Sequence, residues 1–303
     1  MSDEPIHIDD VTPQRWEVGE LAATRWRLGA AAAARTIGVA VIAIDPGKRA
    51  TPPHSHADEE EQVFVLEGGG LSYQTAGSKD ARAYEIRSGD FLWHPAGGDA
   101  HTLIAGPDGL KVLIVAEGSR TNITYLPRTK QFWLGPRWSP ADSPPPFVAD
   151  ARLDPLAIPE PAERPASIKH LDELELHEGR DGELAYATRH LTTKEEAQLV
   201  LAHDRMPPDT HTTELHFHST REEAWYVLSG SGHARLGGER FALRPGSFFL
   251  RRPNGGVGHR IEVGPEGMDL LTMGDLVGGD LWVYPERNTV HLAKGVEVRY
   301  EAT

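Results

Sequence analysis

The chain has 303 residues, 31 lysines and arginines against 45 aspartates and glutamates, a formal net charge of -14 and no cysteine. The acidic excess speaks against a nucleic-acid partner, whose phosphates are bound by Lys and Arg, and the absence of thiols leaves His, Asp and Glu as the only candidate metal ligands. There is no run of eighteen apolar residues and the opening MSDEPIHIDD lacks the pattern of a secretory signal, so the expectation is a cytoplasmic protein with no membrane partner.

A chain of this length is expected to form two domains. In chain order, Gly19-Glu20-Leu21-Ala22 comes first, followed by apolar or alternating stretches at 37–44, 62–66, 91–94 and 110–116, each read as a short strand. A proline-rich stretch at 139–165 follows, whose fixed φ angles and missing donors predict an extended connector. The series then repeats. Gly182-Glu183-Leu184-Ala185 matches the opening tetrapeptide, and strands are expected at 224–228 and 247–250. One segment, 192–198, has helix-forming character. Short strands separated by Gly, Pro and Asp turns, with almost no helical period, predict an all-β sandwich or barrel. The expected division is an N-terminal domain at 1–138, a linker at 139–165 and a C-terminal domain at 166–303.

The repeat carries chemistry. His54 and His56 are two apart, so on a strand both imidazoles face the same way. Glu61 opens the next strand, and His101 follows a Pro-x-Gly turn that would deliver it to the barrel interior. The second half supplies His216, His218, Glu223 and His259 in the same order. Three imidazoles and one carboxylate leave two positions open in an octahedral shell, an arrangement suited to a divalent transition ion with a substrate bound beside it.

These residues resemble the two motifs of the cupin superfamily. Gly47, His54, His56, Glu61 and Gly68 fit the first motif, and Gly89, Pro95, Gly97 and His101 fit the second. The later half matches with His216, His218, Glu223 and Gly230, then Gly246, Pro253, Gly255 and His259. The first motif's opening glycine is missing there, and Ala105 and Val263 stand where both second motifs would end in Asn. The resemblance implies a bicupin: two tandem jelly-roll (double-stranded β-helix) barrels, each with a metal held by three histidines and a glutamate. Iron(II) is the first choice of ion, with Mn(II), Ni(II) and Zn(II) as alternatives. The expected activity is a dioxygenase cleaving an enolisable or aromatic small molecule, with Glu61 or Glu223 doubling as ligand and base. Decarboxylases, isomerases, hydrolases and non-catalytic small-molecule binders share this shell and stand as alternatives.

Alternation from the glutamates places Val63, Val65, Trp225 and Val227 on the inner walls, chiefly as barrel core. Arg251 and Arg252, before Pro253, could bind a substrate carboxylate, but adjacent strand residues face opposite ways, so at most one can point inward, and a surface position is the expectation for both. His94, His203, His211 and His233 fall outside the motifs and are read as ordinary polar residues. If only one barrel is active, the first has the longer motif agreement. Two barrels already imitate a dimer, and their exposed sheet faces leave room for a homo-oligomer.

Overall fold

Strands longer than their apolar cores are what the glycines make possible. The stretch expected at 62–66 is part of a strand running Glu61–Thr75, and its partner runs Ala100–Glu117. Their pairing shifts register between Val65 and Glu67 and again between Gly68 and Gly70. Gly68 has φ +79, and a Cβ there would lie 2.3 Å from the Gly109 carbonyl oxygen. Only glycine fits, and the resulting bulges bend a single long strand pair. The second half repeats the device. Strands Glu223–Leu236 and His259–Asp275 shift register on either side of Gly230, whose Cβ would lie 2.1 Å from the Gly267 carbonyl oxygen.

The computed structural model describes residues 4–77, 80–118, 123–135, 137–192, 197–276, 278–292 and 296–300. Residues 193–196 of the expected helix-forming stretch lie outside these. The chain divides into two units, each combining an eight-stranded and a four-stranded antiparallel sheet. The all-β architecture of two tandem jelly-roll barrels is therefore the one observed. No helix among the described residues is long and apolar enough to cross a membrane.

The first unit comprises residues 12–27 and 38–171. Its large sheet places Glu61–Thr75 between Asp90–His94 and Ala100–Glu117, and the short strand Ile168–His170 pairs with Asp90–His94. Its small sheet holds Ser55–His56 against Ile123–Leu126. Val63, Val65, Leu92, Leu103 and Val112 fill the interior. Within 139–165, a helix at Pro146–Ala151 carries a fully buried Asp150, whose oxygens accept from Arg49 and Arg128 at 2.8 and 2.9 Å.

The second unit comprises residues 4–11, 28–37 and those from 172 onward. Its large sheet has the same order, with Ile6–His7 pairing with Ser247–Arg251 where the first unit uses Ile168–His170. Its small sheet holds Phe217–His218 against Trp282–Tyr284. Trp225, Val227, Phe249, Ile261 and Leu270 form the interior. The segment 28–37 is anchored by Glu222, which is fully buried and accepts hydrogen bonds from the backbone N–H groups of Arg35, Thr36 and Ile37.

Candidate metal centres

In the first barrel His54 faces His101 across a two-residue bridge, with N–H to O distances of 3.1 and 2.8 Å in the two directions. His56 sits on the neighbouring two-residue strand and Glu61 opens the long central strand. In the second barrel His216 faces His259 in the same way, His218 ends its short strand and Glu223 opens the central one. One ligand atom from each of His54, His56, Glu61 and His101 lies within 4.8 Å of the others, and the same holds for His216, His218, Glu223 and His259. All eight residues singled out in the sequence are thus gathered into two sets of four.

The imidazoles are oriented by their outer nitrogens. The Nδ1 atoms of His54 and His216 lie 3.0 Å from the carbonyl oxygens of Pro52 and Glu214, and the hydroxyls of Thr51 and Thr213 stand 3.3 and 3.2 Å away. Nδ1 of His101 lies 3.2 Å from the Asp99 carbonyl. Carbonyl contact fixes the tautomer with hydrogen on Nδ1, so the lone pair of Nε2 faces inward. There Nε2 of His101 and His56 lie 3.3 and 3.7 Å from Glu61, and Nε2 of His218, His259 and His216 lie 3.2, 3.3 and 3.8 Å from Glu223. The buried Nε2 atoms of His56 and His216 make no hydrogen bond. Buried polar atoms are rarely left so, and a divalent cation amid these donors would satisfy them. The residues fit such an ion.

The clustered imidazoles differ in their electrostatics. Burial pushes His54 down to about 3 and His259 down to about 4, favouring neutral rings. Although burial alone would raise Glu61 and Glu223, the surrounding imidazoles hold both well below the usual carboxylate range. Burial opposes protonation of His218, yet contacts with Asp280 and Glu223 raise it to about 9.

Two expectations are corrected. Arg251 is not a surface residue: it is 3% exposed and is the register partner of Glu223, so it projects to the same side of the sheet. Its counterpart in the first barrel, opposite Glu61, is His94. Six residues separate Gly246 from Pro253 where five separate Gly89 from Pro95, and counting from the glycine gives the equivalence of Arg251 and His94. His94 is also more than an ordinary polar residue. It is buried and stacks on His101, with ring centroids 3.8 Å apart and planes 5° from parallel. His203, His211 and His233 lie outside both clusters.

Sequence reasoning missed the residues that support the ligands. Thr51 and Thr213 did leave a signal, since each precedes its first histidine by three positions. Asp280 left none. Its carboxylate lies 2.6 Å from Nδ1 of His218, reached through a loop that is 62 residues away in sequence.

Residues 202–273 match the cupin domain family. No curated protein sequence matches the chain. Among solved structures, oxalate decarboxylase from Lactobacillus farciminis, in a formate complex, is similar with a TM-score of 0.61 and 16% identity, over 92% of this chain and 88% of that one. A single-residue mutant of oxalate decarboxylase from Bacillus subtilis is similar with a TM-score of 0.59 and 17% identity, over 92% of this chain and 79% of that one. A further structure of the Bacillus subtilis enzyme, with the same TM-score, identity and coverage, belongs to a study of its Mn(II) centres.

Proposed function

We propose that this chain, whose two jelly-roll barrels each gather three imidazoles and a carboxylate, is a metal-dependent enzyme of the decarboxylase type, acting on a small carboxylate without net consumption of O2. The observation that carries this reading is the pair of complete clusters on a fold shared, across 92% of the chain, with oxalate decarboxylases. His54, His56, Glu61 and His101 would hold one ion and His216, His218, Glu223 and His259 another, with Mn(II) ahead of Fe(II), Ni(II) and Zn(II). A divalent ion there would supply a Lewis acid to polarise a bound carboxylate and stabilise charge as CO2 departs. His54, its Nδ1 held by the Pro52 carbonyl, presents the lone pair of Nε2 inward, and Glu61 and Glu223, kept ionised by their neighbours, are placed to hold or move a proton near the substrate.

A dioxygenase is the second reading. It is favoured by the aliphatic wall of the first barrel, where Val63 and Val65 are fully buried. The test is to load metal-free protein separately with Mn(II), Fe(II), Ni(II) or Zn(II), supply oxalate, and follow CO2 release and O2 uptake together. CO2 release without net O2 uptake supports the decarboxylase. O2 uptake with enolisable aromatics and no CO2 from carboxylates would establish the second reading in its place.

A further inference from the structure

The two clusters have nearly the same ligand geometry, but the positions flanking each glutamate carry different charge. Glu223 has two register partners, Arg251 on one neighbouring strand and Gly274 on the other. Arg251 is almost fully buried on the ligand side of the sheet, with its guanidinium carbon 6.0 Å from the centre of the Phe249 ring. A Cβ at Gly255, in the turn before His259, would lie 3.3 Å from its Nη2, so the turn closes around the guanidinium. The space a side chain at Gly274 would occupy is taken by Arg221, whose Nε and Nη2 lie 2.6 and 2.7 Å from the Cβ position. Two cations therefore flank Glu223, one from each side.

The first barrel carries neither. Opposite Glu61 stands His94, a buried imidazole stacked on His101 where the second barrel has a guanidinium. Gly274 is replaced by Ala116. In place of Arg221 stands Glu59, buried, with its carboxylate 3.6 Å from Nδ1 of His56. The buried carboxylates Glu60 and Glu222, next to the ligands, are common to both barrels and cancel in the comparison. Asp280 adds one negative charge beside His218, matching what Glu59 adds beside His56. Asp204 is a further acidic group inside the second barrel, so the contrast that remains is one of donor chemistry: a guanidinium stands at each of the two positions flanking Glu223 and at neither of those flanking Glu61.

We propose that the second centre is the carboxylate-binding one, with Arg251 and Arg221 as the residues that recognise the anion, and that the first centre is built for a neutral ligand or for structure alone. This rests on the decarboxylase reading for its substrate class, but not for its test. A guanidinium offers paired, coplanar donors that match a carboxylate, whereas an imidazole has no such fork and Glu59 repels an anion.

The experiment reads binding rather than turnover. Mn(II)-loaded protein is prepared with the first centre removed by His54→Ala/His56→Ala, or the second by His216→Ala/His218→Ala, and each is titrated with oxalate and with its neutral analogue oxamide by calorimetry and Mn(II) electron paramagnetic resonance. Protein retaining only the second centre is expected to bind oxalate at least about tenfold more tightly than protein retaining only the first, with no such preference for oxamide. Within the second-centre background, Arg251→Gln and Arg221→Gln are each expected to weaken oxalate by about tenfold, and Arg251→Lys by less. In the first-centre background, His94→Arg is expected to create oxalate affinity. Equal oxalate affinity at the two centres, or glutamine variants that keep their metal and bind within about twofold of the parent, would overturn the proposal. If the glutamine variants lose their metal, the comparison between the two intact centres decides the matter. Absence of CO2 release in the turnover assay would count against the decarboxylase reading alone.

Discussion

In the first barrel His56 is backed by the Thr124 hydroxyl at 3.4 Å and the Glu59 carboxylate at 3.6 Å; in the second, His218 is backed by the Asp280 carboxylate at 2.6 Å. The residue paired with His56 across the small sheet is Thr124, and the one paired with His218 is Trp282, whose ring stacks on His216 at 5.1 Å. The inner walls diverge as well. Asp204 projects into the second barrel and accepts from the hydroxyls of Thr188 and Thr272, where the first barrel has the aliphatic Ile42 at the corresponding position two residues before the strand's end. Duplication preserved the bends and the donors, while the surroundings that tune a bound ion and its substrate were free to change.

The largest expected effect separates the centres altogether. Each of the double variants His54→Ala/His56→Ala and His216→Ala/His218→Ala is expected to remove one of two metal equivalents per chain, measured by mass spectrometry on protein purified without chelator or histidine tag. Loss of both equivalents in either variant would show that the barrels do not load independently.

What the barrels share should fail equally. Gly68→Ala and Gly230→Ala force a side chain into a positive-φ position and against a carbonyl oxygen, and each is expected to cost roughly 3 kcal/mol of stability in denaturant titrations. A much smaller loss at one of them would mean that its bulge can relax.

What the barrels do not share should fail unequally. Asp280→Asn removes a charged partner of a candidate ligand and is expected to lower metal affinity at the second centre by about 10- to 100-fold in competition with a chelator, whereas Thr124→Val should change the first centre by less. Equal losses would place the support for His56 and His218 elsewhere.

The smallest effect concerns pH. Burial raises Asp204 above its usual value despite the two threonine hydroxyls. A carboxyl group raised in the folded state prefers its protonated form there, so the stability it contributes is complete at pH below the unfolded value and declines as pH rises through the folded one. Asp204→Asn abolishes that decline. Its melting temperature is expected to gain on the wild type between acid and neutral pH, and a constant difference across that range would contradict the buried-acid assignment.

Much of this was legible in the chain. The spacing His-x-His, the glutamate five residues later and the histidine after a Pro-x-Gly turn recur in both halves, and the structure brings the side chains of each set of four close together. The strand alternation that places Val63, Val65, Trp225 and Val227 inside holds, because a period of two fixes the buried face once one inward residue is known. Arg251 is the exception: the apolar stretch at 247–250 stops one residue short of it, and alternation lets one of Arg251 and Arg252 face inward without saying which until the pairing with Glu223 is known.

The duplication, the all-β class and the eight histidines and glutamates of the two clusters are written in the order of residues, because repeated spacing and strand period are local properties that tertiary context does not alter. What surrounds those donors belongs to the folded chain. Asp280 reaches His218 across 62 residues, Arg221 fills the space left by a missing side chain at Gly274, and the anchoring carboxylate of Glu222 holds a segment more than 180 residues earlier in the chain. Such contacts are set by loop paths and by which side chain finds a vacant volume, and neither leaves a periodic trace in a sequence.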